Sequence, residues 1–101
     1  MIEKNIFQTW KTKKLNVPLK FQVENIKKMN PDFNYYLYDD HDMDTFVNTY
    51  FKGEIADCYN KLNIIVAKTD FWRYLVLYKY GGIYMDFDTK IKYPLDKILK
   101  E

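Results

Sequence analysis

The stretch Gly81-Gly82-Ile83-Tyr84-Met85-Asp86-Phe87-Asp88 places the strongest constraints on the fold of this 101-residue chain. It directly follows residues 64–80, which are almost wholly apolar and aromatic, and the two glycines end that segment. A short β-type run then covers residues 83–87. Because side chains alternate between the two faces of an extended strand, Asp86 and Asp88 are expected to point the same way if the strand continues through them.

This pair of aspartates has two interpretations from the residues alone. Two neighbouring carboxylates stay ionised together only where water, a cation or hydrogen-bond donors compensate their charge. A Mg²⁺ or Mn²⁺ ion carrying a bound diphosphate would compensate them well, because these ions prefer oxygen ligands. An Asp-x-Asp triplet is also common in solvated turns. A metal–phosphate site and a solvated turn therefore both remain open at this point.

Length and composition indicate one globular domain covering residues 1–101, with a single modest core. With 48% hydrophobic residues, the chain lies outside the composition range of disordered proteins. The net charge of +2 is too small to indicate nucleic-acid binding by itself. The single cysteine, Cys58, excludes an internal disulfide and fits a reducing compartment. The first residues lack a signal-peptide core and no segment is apolar enough to span a membrane, so we expect a cytoplasmic protein without a transmembrane segment.

Hydrophobic periodicity and turn residues predict three strands and four helices. The strands cover residues 5–10, 34–38 and 83–87, the helices cover residues 18–29, 42–50, 54–62 and 64–80, and a turn with a short amphipathic tail follows at residues 93–101. Asn63 is expected to cap the last helix and Gly81 to close it. The order of strands and helices predicts an α/β fold with a small, mostly parallel sheet flanked by helices.

The carboxyl ends of the predicted strands carry residues suited to ligand binding. Ligands of parallel sheets bind beyond these ends, which here hold Trp10, Asp39, and the pair Asp86 and Asp88. Trp10 is either core filling or a platform on which a nucleobase stacks. Convergence of three strand ends on one crevice indicates a site more strongly than any one of them does.

The predicted helix at residues 64–80 carries Asp70 and Arg73, which are surface neighbours at a spacing of three. Because this helix is apolar over most of its circumference, we expect it to be buried and its charges to lie away from an open face. The two residues form either a structural ion pair or part of the crevice, where Asp70 would accept from sugar hydroxyls and Arg73 would attract a sugar or phosphate. The chain has no Ser/His/Asp set, zinc-ligand spacing or glycine-rich phosphate loop, which argues against a dehydrogenase or a P-loop enzyme.

Five segments of the chain resemble motifs of the DXD-containing glycosyltransferase family. They are Ile6-Phe7-Gln8-Thr9-Trp10-Lys11, Asn30-Pro31-Asp32-Phe33, Leu37-Tyr38-Asp39-Asp40, Ala67-Lys68-Thr69-Asp70-Phe71-Trp72-Arg73-Tyr74-Leu75, and the Gly81 to Asp88 stretch quoted above. This family includes yeast outer-chain mannosyltransferases, bacterial capsular polysaccharide transferases and, more remotely, clostridial glucosylating toxins. The similarity covers nearly the whole chain, in order and without large gaps.

The resemblance implies a Rossmann-like GT-A fold and a role in glycan or polysaccharide biosynthesis. It implies transfer of a hexose from a UDP- or GDP-sugar to a glycan or protein acceptor, with retention of anomeric configuration. By the same resemblance, Asp88 would bind Mn²⁺ or Mg²⁺ directly, and Asp86 would contact the donor ribose or sugar and a metal-bound water.

The resemblance also assigns the remaining donor contacts. Asp70 and Arg73 would hold the donor hexose, Tyr84 would line the same pocket, and Trp10 would stack on the base. Members of the family continue well beyond the DXD strand, so this chain is expected to be a minimal or truncated GT-A domain. The alternative is a non-catalytic nucleotide-sugar-binding module that works with a partner chain, for example by self-association.

Overall fold

A computed structural model of the chain describes residues 3–87. In chain order the elements are β1 (Asn5–Thr9), α1 (Val17–Met29), β2 (Asn34–Tyr38), α2 (Asp40–Tyr50), α3 (Glu54–Asn60), α4 (Ile65–Tyr80) and β3 (Ile83–Tyr84). The expectations for Asp88 and for the tail at residues 93–101 lie outside the described residues. Among residues 3–87, no helix has the length and apolar character needed to cross a membrane.

The three strands form one parallel sheet in the order β2-β1-β3. Phe7, at the centre of β1, is in register with Tyr36 of β2 on one side and with Tyr84 of β3 on the other. The predicted α/β architecture, a small parallel sheet flanked by helices, is therefore confirmed. Because all three strands run the same way, their carboxyl ends lie along a single edge of the sheet.

Side-chain alternation along β1 divides the core between the two faces of the sheet. Phe7 points to one face, where it packs with the buried residues of α2, α3 and α4, including Phe46, Tyr59 and Trp72. Ile6 points to the other face and packs with Ile26 of α1 and with other buried apolar side chains. Both faces of the central strand are thus covered, as is usual in parallel sheets.

Helix α2 begins two residues earlier than the sequence pattern predicts. The Asp39 side chain accepts from the Asp42 main-chain N–H at 2.8 Å, and the Asp42 carboxylate accepts from the Asp39 N–H at 3.1 Å. This reciprocal capping box makes Asp39 the N-cap and Asp40 the first helical residue. Burial opposes ionisation of Asp42, but its hydrogen bonds with Lys13 and Asp39 outweigh this effect and lower its pKa.

The prediction that the long helix is buried on all sides is wrong. Its buried residues are Trp72, Leu75 and Val76, whereas Val66 on another face is 65% exposed and Tyr78 is 85% exposed. The sheet, α2 and α3 pack against one side of α4, and several apolar residues on its other faces, such as Tyr74, are exposed. The predicted cap is also wrong, because Ile64 rather than Asn63 is the N-cap of α4 and makes no side-chain hydrogen bond there.

The two glycines turn the chain from α4 into β3. Gly81 has a φ of 72°, and its N–H donates to the Leu77 carbonyl at 2.8 Å, which closes the helix as expected. Gly82 has a φ of 124° and lies directly against Asn5 of β1. The glycine pair therefore allows β3 to return immediately alongside the central strand.

Strand β3 is shorter than predicted. It ends at Tyr84 instead of Phe87, although the Met85 N–H still donates to the Phe7 carbonyl at 3.0 Å, and Phe87 lies in a turn. The alternation argument for Asp86 and Asp88 assumed a strand through both residues, and that assumption is not met. The position of Asp86 is instead set by contacts with β1.

Candidate functional site

A cavity of about 600 Å³ lies at the edge of the sheet where the three strands end. Its lining residues are Thr9, Trp10, Lys11, Asp40, Ile65, Thr69, Asp86 and Phe87. They come from the ends of β1 and β3, from the start of α2 just after β2, and from the first turns of α4. The structure therefore brings Trp10 and Asp86 together in one crevice, at the place where parallel α/β sheets bind ligands.

Trp10 is half-buried in this crevice and stacks on Phe87. The two ring centroids are 4.9 Å apart and the planes are inclined by 25°. The tryptophan is therefore not simple core filling, since it lines the cavity, but one of its ring faces is already occupied by a side chain of the Asp-x-Asp segment. A nucleobase would have to use the opposite face.

Asp86 is exposed in the cavity, while its main chain is tied to β1. The Gln8 side-chain amide, which is fully buried, donates from Nε2 to the Asp86 carbonyl at 3.1 Å. The neighbouring Tyr84 hydroxyl lies 3.4 Å from Thr9 Oγ1. Burial raises the pKa of Tyr84, and the Asp86 carboxylate adds to this effect, so the phenol is held in its neutral form.

Asp70 and Arg73 do not line the cavity, and neither does Tyr84. Arg73 Nη2 lies 3.7 Å from Asp70 Oδ1, in the ion pair that their helical spacing predicts, and the Asp70 side chain is 60% exposed. The Arg73 guanidinium lies 5.4 Å from the centre of the Tyr84 ring. Since Tyr84 contacts Thr9, these three residues form a contiguous group beside the cavity and not inside it.

Sequence reasoning missed several lining residues, among them the polar residues Thr9, Asp40 and Thr69. The sequence analysis placed Asp39 at the end of β2, but that side chain is used in the helix cap, and the next residue lines the cavity instead. The signal that could have identified Asp40 is the Asp39-x-x-Asp42 capping box, which fixes the helix start. Burial raises the pKa of Asp40, as do Asp39 and Asp44, while Lys68 opposes this shift.

The oxygen atoms that line the cavity are suitable ligands for a hard divalent cation. Asp40 and Asp86 supply carboxylates, and Thr9 and Thr69 supply hydroxyls. Within residues 3–87, no three acidic, histidine or cysteine side chains gather closely enough to hold an ion by themselves. Mg²⁺ is commonly bound through only one or two carboxylates together with substrate phosphates, so a preformed cluster of three is not required for such a site.

A second cavity, of about 490 Å³, lies along β2 and α2 and is lined by Tyr36, Tyr38, Tyr50 and Tyr80 among others. None of the selected residues within the described part of the chain, 3–87, lines it. We assign the candidate site to the larger cavity because it lies at the carboxyl ends of the strands and contains Asp86.

Comparison with known proteins identifies several similar glycosyltransferases. The chain is 34% identical over 98 residues to inositol phosphoceramide mannosyltransferase 3 of Schizosaccharomyces pombe, an alignment that covers 97% of this chain and 27% of the relative. It is 34% identical over 101 residues to the initiation-specific alpha-1,6-mannosyltransferase of Candida albicans, covering 93% of this chain and 26% of that protein. It is also 34% identical to an uncharacterized glycosyltransferase of Acanthamoeba polyphaga mimivirus, covering 98% of this chain and 40% of the viral protein.

These alignments show that the chain spans roughly a quarter of the length of the two fungal relatives. No solved structure matches the chain. A family model described as "Glycosyltransferase sugar-binding region containing DXD motif" matches residues 16–101, which is most of the sequence. The chain therefore belongs to the family of DXD-containing glycosyltransferase sugar-binding regions.

Proposed function

We propose that this chain binds a nucleotide-sugar donor in the 600 Å³ cavity and acts in a metal-dependent glycosyltransferase that moves a hexose to a glycan or protein acceptor with retention of configuration. The observation that carries this proposal is the meeting of Trp10 and Asp86 in one cavity. The aromatic ring can stack on the base, and the carboxylate can contact the ribose or a metal-bound water, while Asp40 and Thr69 add further oxygen ligands for a cation.

In this proposal the two aspartates of the motif hold the diphosphate end of the donor. Asp88 would bind Mn²⁺ or Mg²⁺ directly, and Asp86 would contact the donor ribose or sugar and a metal-bound water. The bound cation would act as a Lewis acid that offsets the charge developing on the diphosphate as the glycosidic bond breaks. The exposure of Asp86 in the cavity suits a side chain that must reach ligand atoms.

The donor hexose would lie toward the contiguous group formed by Asp70, Arg73 and Tyr84. The ion pair orients the guanidinium, whose donors suit sugar hydroxyls or phosphate oxygens. The Tyr84 hydroxyl lies beside Thr9, which lines the cavity. The names of the two fungal relatives refer to mannosyl transfer, so mannose is the first hexose to test.

A titration of the chain with UDP- and GDP-hexoses, including GDP-mannose, tests the donor-binding part of this function. We expect saturable binding of one nucleotide class that requires Mn²⁺ or Mg²⁺ and is lost on chelation with EDTA. Isothermal titration calorimetry with and without millimolar Mn²⁺ or Mg²⁺ provides the measurement. Absence of binding for every UDP- and GDP-sugar at both metal conditions would contradict the proposal.

Trp10→Ala is expected to weaken binding of the nucleotide between about fivefold and a hundredfold, because stacking of a base on an aromatic side chain contributes roughly 1–3 kcal/mol. The loss should be the same for every sugar attached to the nucleotide and for the free nucleoside diphosphate. Trp10→Phe, which keeps an aromatic face against Phe87, serves as the matched control and should lose less. A loss that depends on the sugar and spares the free diphosphate would argue against stacking of the base.

A second candidate function is a non-catalytic donor-binding module that acts with another chain, either a second copy or a different protein. The exposed apolar face of α4 favours this candidate, because Val66, Tyr74 and Tyr78 form a surface that a partner could cover. Release of UDP or GDP over hours, with and without added acceptor glycans, distinguishes the two functions. Donor binding without any release would support the module, and release that depends on metal would support the transferase.

A further inference from the structure

Gln8 is a buried polar side chain that is not among the assigned donor contacts. It lies on the central strand β1, and its residue is 0% exposed. A buried amide is costly unless its donor and its acceptor both find partners. Gln8 satisfies both, because Oε1 accepts from the Tyr35 hydroxyl at 2.6 Å and Nε2 donates to the Asp86 carbonyl at 3.1 Å. Its side chain therefore connects β2, through β1, to the segment that follows β3.

The chemistry of the partners determines which way this amide faces. The main-chain carbonyl of Asp86 can only accept a hydrogen bond, so the NH₂ group of Gln8 must face it. The amide oxygen then faces Tyr35, whose hydroxyl must donate. Burial raises the pKa of Tyr35, which keeps the phenol protonated and able to donate. Each polar group in this Tyr35–Gln8–Asp86 brace can therefore act in only one way, either as hydrogen-bond donor or as acceptor.

The segment after β3 depends on such a brace because the strand is only two residues long. Its hydrogen bonding to β1 ends with the Met85 N–H, which donates to the Phe7 carbonyl. Beyond that point Gln8 of β1 bonds the Asp86 carbonyl, and Phe87 stacks on Trp10, the residue that follows β1. These contacts hold the main chain while the Asp86 carboxylate remains exposed in the cavity.

We propose that Gln8, oriented by Tyr35, is a positioning residue that fixes the main chain at Asp86 so that the Asp86 carboxylate meets the metal–diphosphate group. This inference rests on the proposed function, because it concerns the same site. Outer groups that orient metal ligands typically change metal affinity by ten- to a hundredfold when they are removed. The brace acts through the Asp86 carbonyl and touches neither donor nor metal.

The direct test is Gln8→Met, which keeps the length of the side chain and removes both hydrogen bonds. We expect the Mn²⁺ concentration that gives half-maximal binding of the UDP- or GDP-hexose to rise about tenfold or more. Binding of the corresponding free nucleoside, uridine or guanosine, should change little because it carries no phosphate. Calorimetry provides both values, and circular dichroism shows that the variant is folded.

Two further variants separate positioning from a general loss of stability. Tyr35→Phe keeps the ring and removes only the hydroxyl that orients Gln8, so it should raise the Mn²⁺ requirement in the same direction by a smaller factor. Asn30→Ala removes another buried amide, which donates to the Ile26 carbonyl at 2.8 Å at the end of α1. It should lower thermal stability without changing the Mn²⁺ requirement.

The outcomes distinguish this inference from the proposed function. If Asp88→Asn raises the Mn²⁺ requirement and Gln8→Met does not, the positioning role is overturned while the proposed function stands. If Asn30→Ala raises the requirement as much as Gln8→Met does, the effect is general loosening and the inference also fails. If the parent chain binds no UDP- or GDP-hexose in a metal-dependent way, both are overturned. If Gln8→Met does not fold, Tyr35→Phe becomes the test of the inference. An unchanged Mn²⁺ requirement in Tyr35→Phe would then overturn it.

Discussion

Replacement of Gly82 by alanine is expected to lower the free energy of unfolding by about 3 kcal/mol or more, a large fraction of the total stability of a domain this size. The residue has a φ of 124°, a conformation that residues with a side chain rarely adopt. An added Cβ would also lie 2.5 Å from the Asn5 carbonyl oxygen and 2.8 Å from Asn5 Cβ. Because Asn5 belongs to the central strand, these atoms cannot move away without disturbing the pairing of β1 and β3.

Gly53→Ala is the matched control for this prediction. Gly53 also has a positive φ, of 71°, but an added Cβ would meet nothing within 4 Å. Its φ of 71° and ψ of −136° are rarely adopted by residues with a side chain, so its replacement should carry only this conformational cost, about 1–3 kcal/mol, without a clash. Urea denaturation followed by circular dichroism measures both variants. Equal losses for the two would show that close approach of β3 to β1 does not contribute, and that only the conformation requires glycine at residue 82.

The topology could be predicted from the sequence because it depends on features that are local. Each predicted strand is bounded by polar or turn residues, and the glycine pair stops α4 at the point where the structure closes it. Once the elements alternate, a parallel sheet follows from general rules of chain connection. The convergence of Trp10 and Asp86 on one edge is a direct consequence of that topology.

Other features could not be predicted because they depend on which partners are present. Composition shows that α4 is apolar around most of its circumference, but only packing decides which of its faces are covered. The exact end of β3 depends on how far its pairing with β1 continues, which residue type does not reveal. The role of Gln8 was missed for the same reason, since a polar residue in a strand looks unfavourable until its two partners are known.

The donor-site proposal could be derived only in part. The strand ends identified Trp10 and Asp86. Helical spacing and the resemblance together selected Asp70 and Arg73, the resemblance alone added Tyr84, and these three residues lie beside the cavity. This group meets the cavity where the Tyr84 hydroxyl lies beside Thr9. A bound donor would therefore have to extend past Thr9 to reach the ion pair. Contacts with the sugar would then depend on the length of the donor, whereas contacts with the base and the diphosphate would not.

Asp88→Ala is expected to abolish metal-dependent binding of the donor, with a loss of affinity of more than about a hundredfold. This loss is larger than the effect of removing a group that only orients a metal ligand. Asp86→Ala should have a smaller effect, about ten- to a hundredfold, because that side chain is proposed to reach the metal through water. The order of the two losses follows from the proposed roles. Isothermal titration calorimetry with the UDP- or GDP-hexose, repeated over a range of Mn²⁺ concentrations, measures both variants.

Asp32→Ala is the control for these variants, since it removes the same charge from an exposed residue that does not line the cavity. It should leave donor binding unchanged, which excludes a general effect of net charge. All three variants should keep the circular dichroism spectrum of the parent chain. Affinity of Asp88→Ala equal to that of the parent, in a folded protein, would remove Asp88 from the metal site. An equally large loss for Asp86→Ala and Asp88→Ala would instead place both carboxylates directly on the metal, because a contact through water tolerates the loss of one carboxylate better than a direct bond does.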